Sequence, residues 1–183
     1  MSSLPDFDPA LNHFARLGLE PALDLDREAL EGRYLELSAA VHPDKHQAAG
    51  EAAQRLAMEH ASAINVAYRV LRDVVGRAEY LVKLGGIDLN STDERHGAPK
   101  PTQAFLVEMI ERREALDEAA AEGEDALEDL RDELADESGA VLKRAQAAIR
   151  AGDIAGAARE LVTRRYLARL DQEIEAQLGG GSR

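Results

Sequence analysis

The chain has 183 residues, enough for one ordinary domain or two small ones, and its 45% hydrophobic content allows a real core although aromatics make up only 4%. There is no cysteine, which excludes disulfides, zinc–thiolate centres, cysteine-ligated iron–sulfur clusters and thiol catalysis. The formal net charge of -13 divides into 13 acids against 9 bases over residues 1–86 and 22 against 13 over residues 87–183, which disfavours nucleic acid as a partner and suits basic ones.

The first residues, MSSLPDFDPALNHF, lack a basic stretch followed by a long apolar one, so no signal peptide is expected. No apolar run approaches membrane-spanning length, and the expectation is a soluble, cytoplasmic protein without a membrane partner. Richness in Ala, Leu, Glu and Arg favours helices throughout. A short helix is predicted over 10–18, with Leu11, Phe14 and Leu17 three apart and Gly18 ending it. Asp26 is the expected N-cap of a second helix running to about Val41, where Leu30, Tyr34, Leu37 and Val41 form one stripe. Pro43 stops that helix. A third follows from about Glu51 to Asp73, with Leu56, Ile64, Ala67, Tyr68 and Leu71 inward, and the two long helices should pack antiparallel. RAEYLVKLGG is a short fourth helix closed by the glycines at 85 and 86.

From Gly86 to Thr102 the glycines, prolines and small polar residues mark a domain boundary. Three more helices are predicted beyond it, over about 102–121, 124–150 and 153–178. Gly123 and the Ala151-Gly152-Asp153 sequence separate them, and Gly139 is a weak point in the middle one. GGGSR reads as a disordered tail. The expected architecture is all-α in two domains, 1–88 and 102–178, joined by a linker at 89–101 and followed by a tail at 179–183.

Chemistry concentrates in AAVHPDKHQ, residues 39–47. His42, Asp44 and His46 would be three ligands in a metal-dependent hydrolase, but histidines four apart share a face only within a helix, which Pro43 opposes. General acid–base work needs a pocket and a partner base, which a small helical domain with one exposed loop does not offer. The plain alternative is a solvated turn, proline ending one helix and aspartate leading into the next.

The flanks add to this. HPDK comes eight residues after Tyr34, and the following helix carries INVAYRVL and then GRAEYL. This succession resembles a J-domain over about residues 10–86, the co-chaperone module that stimulates the ATPase of DnaK-type chaperones. Ala67, Tyr68 and Leu71 match the family's third helix, and Arg77, Ala78 and Tyr80 its closing segment. The resemblance implies an antiparallel helical hairpin with short flanking helices, whose His-Pro-Asp loop is required for the stimulation. It implies a chaperone-facing set of His42, Pro43, Asp44 and Lys45 with Tyr34, Arg33, Arg69 and Arg72. One departure is plain: J-domains usually carry a basic second helix, whereas Arg27 and Arg33 here stand against Asp26, Glu28, Glu31 and Glu36.

TQAFLVEMIERREALDEA at 102–119, with RAEYLVKLGGIDL at 77–89 and RRYLARLDQEIE at 164–175, is similar to the HscB-type co-chaperones of iron–sulfur cluster assembly. The zinc-binding extension of some eukaryotic members is missing, as the absence of cysteine requires, and neither a cofactor nor a metal is expected. The resemblance implies no enzymatic activity, an HscA-type chaperone partner, and a C-terminal three-helix bundle that binds an IscU-type scaffold. The implied patch is Leu106, Val107, Ile110, Glu111, Arg113, Glu114, Asp117, Glu118 and Tyr166. Read from the residues, Phe105, Met109 and Leu116 suffice for a core stripe; Leu106, Val107 and Ile110 widen the apolar arc, and both core and interface remain open for them. The acidic run Glu114–Glu137 has 12 acids and one base, Arg131, and reads as a solvated face of an amphipathic helix carrying Leu127, Leu130 and Leu134. A generic J-protein for unfolded clients is the near alternative, and the sequence leaves oligomeric state open.

Overall fold

The computed structural model describes residues 4–180, with the side chains of Pro43, Gln47 and Ala48 left aside. It is all-α: α1 (His13–Arg16), α2 (Arg27–Ala40), a 3-10 turn (Pro43–Ala49), α3 (Glu51–Arg72), α4 (Val74–Leu84), α5 (Gln103–Glu122), α6 (Glu124–Arg150) and α7 (Ile154–Gly180). Among the described residues the only β pairing is an isolated bridge between Asp88 and Gly97. Contacts divide the chain into two compact units, Met1–Leu81 and Val82–Arg183.

In the first unit α2 begins at Asp26, whose carboxylate accepts from the amides of Glu28 and Ala29 at 2.9 and 3.2 Å, satisfying two of the donors a helix start leaves unpaired. Its stripe turns inward at Leu30 and Val41, which join Phe14, Leu17, Ile64, Ala67 and Leu71 in one core. Tyr34 fastens α2 to α3: its ring stacks on Tyr68 at 4.0 Å and its hydroxyl donates to Asn65 Oδ1 at 2.9 Å. On α3 the expected inward Leu56 is only half-buried, and Ala57 is fully buried instead. Residues 57, 64 and 71 recur every seven, so one helical seam selects the alanine. α1 is shorter than the predicted 10–18, one turn capped by Asn12. Gly18 leaves it at φ 67°, and a Cβ there would meet the guanidinium of Arg33 at 2.6 Å.

Arg77 locks the far end of this unit. It is buried, and its guanidinium donates to the carbonyls of Leu23 at 2.7 Å and Leu71 at 2.5 Å. Burial lowers its pKa, opposed by the charges of Asp24 and Asp73. Arg77→Ala leaves two carbonyls without their donors in a closed space, and is expected to cost about 3 kcal/mol of unfolding free energy. Urea unfolding followed by circular dichroism checks this; a loss under about 0.5 kcal/mol would make the guanidinium a bystander.

In the second unit Thr102 Oγ1 caps α5 by accepting from the Phe105 amide at 3.2 Å. Gly123 at φ 126° and Gly152 at φ 76° separate the three long helices as their sequence positions predict. α6 runs unbroken through Gly139. Leu116, Leu127, Leu134, Val141, Leu167, Leu170 and Ile174 form the core. Arg131, the one base of the acidic run, pairs with Asp171 at 3.2 Å and Glu175 at 3.6 Å on α7. Such half-exposed pairs contribute little, so the leucine core holds this acidic helix. α7 continues through Gly180, two residues into the predicted tail; residues 181–183 of that tail lie outside the described residues.

The predicted linker is a closed loop of the second unit. Asp88 pairs with Lys83 at 2.8 Å, and its amide donates to the His96 carbonyl at 2.7 Å. Asp93 accepts from the amides of Arg95 and His96 at 2.9 and 2.7 Å. Arg165 of α7 donates to the Leu89 carbonyl at 2.7 Å and to Asn90 Oδ1 at 3.1 Å. Gly97 is obligatory, because a Cβ would fall 2.5 Å from the Ser91 carbonyl oxygen. The Lys83 hydrogen bond, then the Asn90 amide, lowers the pKa of Asp88; the His96 and Arg95 amides lower that of Asp93. Folded values below the unfolded ones mean stability that is present above about pH 3.9 and is lost as pH falls through the lowered folded values. Carboxyl chemical shifts of Asp88 and Asp93 should therefore titrate with midpoints below about 3.9, and ordinary midpoints would contradict the closed loop.

Candidate functional site

Two surfaces, one in each unit, carry the predicted site residues. The first is the corner after α2. His42 sits at φ -58°, ψ 128°, the extended conformation that a following proline favours, and ends the helix after Val41. Its Nδ1 accepts from the Asp44 amide at 3.3 Å and lies 3.6 Å from Asp44 Oδ2. In the neutral ring this leaves the proton on Nε2, so the corner carries a donor and a carboxylate. The two side chains are 58% and 74% exposed. His46 Nε2 meets the Ala40 carbonyl at 3.1 Å, fastening the 3-10 turn to the end of α2. No three potential ligands converge on a metal position among the described residues, His42, Asp44 and His46 included. Lys45 is exposed; the side chain of Pro43 lies outside the described residues.

The other residues expected to face the chaperone do not gather at this corner. Tyr34 is engaged by Tyr68 and Asn65 within the hairpin. Arg33 is held by the Leu17 carbonyl at 3.3 Å and neutralised by Glu36 at 2.6 Å. Arg69 and Arg72 are exposed near the end of α3, with Arg72 over the Tyr68 ring at 5.9 Å. The Tyr34–Tyr68 pairing sets Arg69 level with Arg33, about 12 Å of helix rise from the corner.

The second surface is a groove of about 630 Å³ between α5 and α7. Only the second half of α5 is buried, at Leu116 and Ala119. Its first half turns Phe105 and Met109 inward, Phe105 meeting Tyr166 edge-on at 5.3 Å. Leu106 and Ile110, about a quarter to a third of a turn away, stay 44% and 60% exposed, and Val107, about half a turn away, 49%. Leu106, Met109 and Ile110 from α5 and Tyr166 and Leu170 from α7 make the apolar lining. Arg113, Glu114 and Asp117 line the α5 side; Arg169 and Glu173 line the α7 side. Arg113 is taken by Glu173 at 2.7 Å, across the two helices. Of the predicted patch, Val107, Glu111 and Glu118 are exposed on α5 but do not line the groove. Met109, which the sequence assigns to the core stripe, also lines the groove, as do Leu170, Arg169 and Glu173, which the sequence does not single out. Arg169 and Glu173 follow Tyr166 by three and seven residues, the helical spacing that could have found them.

Residues 101–175 match the family described as the HSCB C-terminal oligomerisation domain. A co-chaperone protein HscB homolog of Burkholderia multivorans is 39% identical over 168 residues, covering 91% of this chain and 94% of its own length. The homolog of Burkholderia mallei is 38% identical with the same coverage. Among solved structures, chaperone HscB from Vibrio cholerae superposes with a TM-score of 0.74 at 29% identity, covering 92% of this chain and 99% of its own. Human co-chaperone protein HscB gives a TM-score of 0.81 at 26% identity, over 96% and 86%.

Proposed function

This chain belongs to the HscB co-chaperone family and is a co-chaperone rather than an enzyme, and from that premise we propose that it couples an iron–sulfur scaffold protein of the IscU type to an ATPase chaperone of the DnaK/HscA type. The observation that carries the proposal is a pair of unlike exposed surfaces on separate units: the His42–Asp44 corner and the apolar α5/α7 groove. The corner offers one donor and one carboxylate, suited to contact with basic and polar groups on another protein. The groove has a hydrophobic centre and a charged rim, as specific protein interfaces do. No helix among the described residues is long and apolar enough to cross a membrane.

In this mechanism the second unit retains the scaffold while the first binds one nucleotide state of the chaperone better than the other. Only that difference in affinity can bias the ATPase cycle. A role with unfolded clients of any sequence is the alternative; charges of both signs around the apolar centre of the groove favour a partner with a matching charge pattern.

The test combines the purified protein with an IscU-type scaffold and an HscA-type chaperone, with steady-state ATP hydrolysis as readout. Stimulation by this protein, raised further by scaffold, is expected. No stimulation with both partners present would overturn the proposal. Displacement of scaffold by a denatured protein would favour the unfolded-client reading.

A further inference from the structure

The groove is not charged alike on its two sides. On α5, Glu114 and Asp117 are exposed, and neither has an ion-pair partner among the described residues. Arg113, the cation expected to serve a partner from this helix, is occupied by Glu173. On α7, Arg169 is exposed, stands over the Tyr166 ring with its guanidinium carbon 5.6 Å from the centroid, and has no carboxylate within ion-pair distance among the described residues. Stacking on a ring that is itself braced edge-on by Phe105 orders the guanidinium without neutralising it. The rim thus carries two unpaired carboxylates on one helix and one pre-oriented cation on the other, with Leu106, Ile110 and Tyr166 between.

Resting on the scaffold-binding reading above, we infer that Arg169 is a specificity-determining residue of the groove. It takes a carboxylate of the scaffold, while Glu114 and Asp117 take a basic group of the same segment across an apolar side chain seated between the helices. The occupant is then an amphipathic segment with base and acid on opposite flanks, bound in one orientation; the reversed orientation sets like charge against like on both sides. Arg and Tyr adjoining in a partly enclosed groove are the residue types that carry binding energy at interfaces.

The test is titration calorimetry of the full-length protein against a purified IscU-type scaffold at low and high salt. Arg169→Ala should weaken binding about tenfold at low salt, a loss that shrinks at high salt as screening removes the pair. Arg169→Glu should weaken it further, and Arg169→Lys should restore most of the salt-dependent part. Glu114→Gln with Asp117→Asn should behave as Arg169→Ala does. Wild-type affinity in Arg169→Ala, or a loss that salt does not change, overturns the inference. Leu106→Ala with Ile110→Ala, measured alongside, separates the two levels: if this pair also leaves affinity intact, the scaffold-binding reading itself fails. Circular dichroism identifies any variant whose loss reflects unfolding.

Discussion

Replacing His42 by glutamine, or Asp44 by asparagine, is expected to abolish stimulation of the chaperone's ATPase while leaving scaffold affinity and thermal stability unchanged. The side chains are 58% and 74% exposed, and the hydrogen bond from the Asp44 amide to His42 Nδ1, at 3.3 Å, is local to the turn. Little of the fold therefore depends on them, and a stability change above about 0.5 kcal/mol is not expected. Glutamine can still accept a hydrogen bond, but it cannot hold an Nε2–H donor in the same direction. Asparagine keeps the shape of Asp44 and removes its charge. Loss of one such interface contact is worth about 2 kcal/mol or more, roughly thirtyfold in affinity for the stimulated state. Steady-state hydrolysis with saturating chaperone decides the matter, and stimulation equal to wild type in both variants would remove the corner from the mechanism.

The complementary loss should come from Leu106→Ala combined with Ile110→Ala. These side chains are 44% and 60% exposed in the free protein, so truncating them costs the fold little. Under a partner they become buried, and removing both should weaken scaffold binding by about 2–4 kcal/mol, roughly thirtyfold to a thousandfold. Calorimetry reads the affinity. Stimulation of the ATPase in the absence of scaffold should be unaffected, because the His42 corner belongs to the other unit. An unchanged Kd would reject the groove as the docking surface. The two variants together are more informative than either alone, since each removes one binding activity and spares the other.

Local signals in the sequence set the helix boundaries. Asp26 begins α2, Pro43 follows its end, and Gly123 and Gly152 separate the last three helices, because caps, proline geometry and positive φ act within a few residues. Long-range pairing was not legible. The 89–101 stretch has the composition of a linker, and the contact with Arg165 that helps close it comes from 76 residues away. That Arg113 is taken does not show in the sequence, because Glu173 lies 60 residues on. Tyr34 carried a family motif, but its stack on Tyr68 and bond to Asn65 appear only when α2 and α3 are paired. Leu106 and Ile110 stay open between core and interface in the sequence because an apolar arc does not say how far a neighbouring helix reaches over it; here the first half of α5 turns Phe105 and Met109 inward and leaves Leu106 and Ile110 exposed.

The ties that close the first unit also set an order of events during synthesis. The His13 amide donates to the Tyr80 hydroxyl across 67 residues, and Arg77 reaches the Leu23 carbonyl across 54. α1 is made before the ring it stacks on, which is translated roughly three to thirteen seconds later, at ribosomal rates of about 5–20 residues per second. Until then Phe14 and Leu17, fully buried in the finished fold, have no complete core to enter. α1 is therefore fixed by sequence translated after it, and a ribosome stalled before Tyr80 would carry an exposed apolar segment of the kind that molecular chaperones exist to shield.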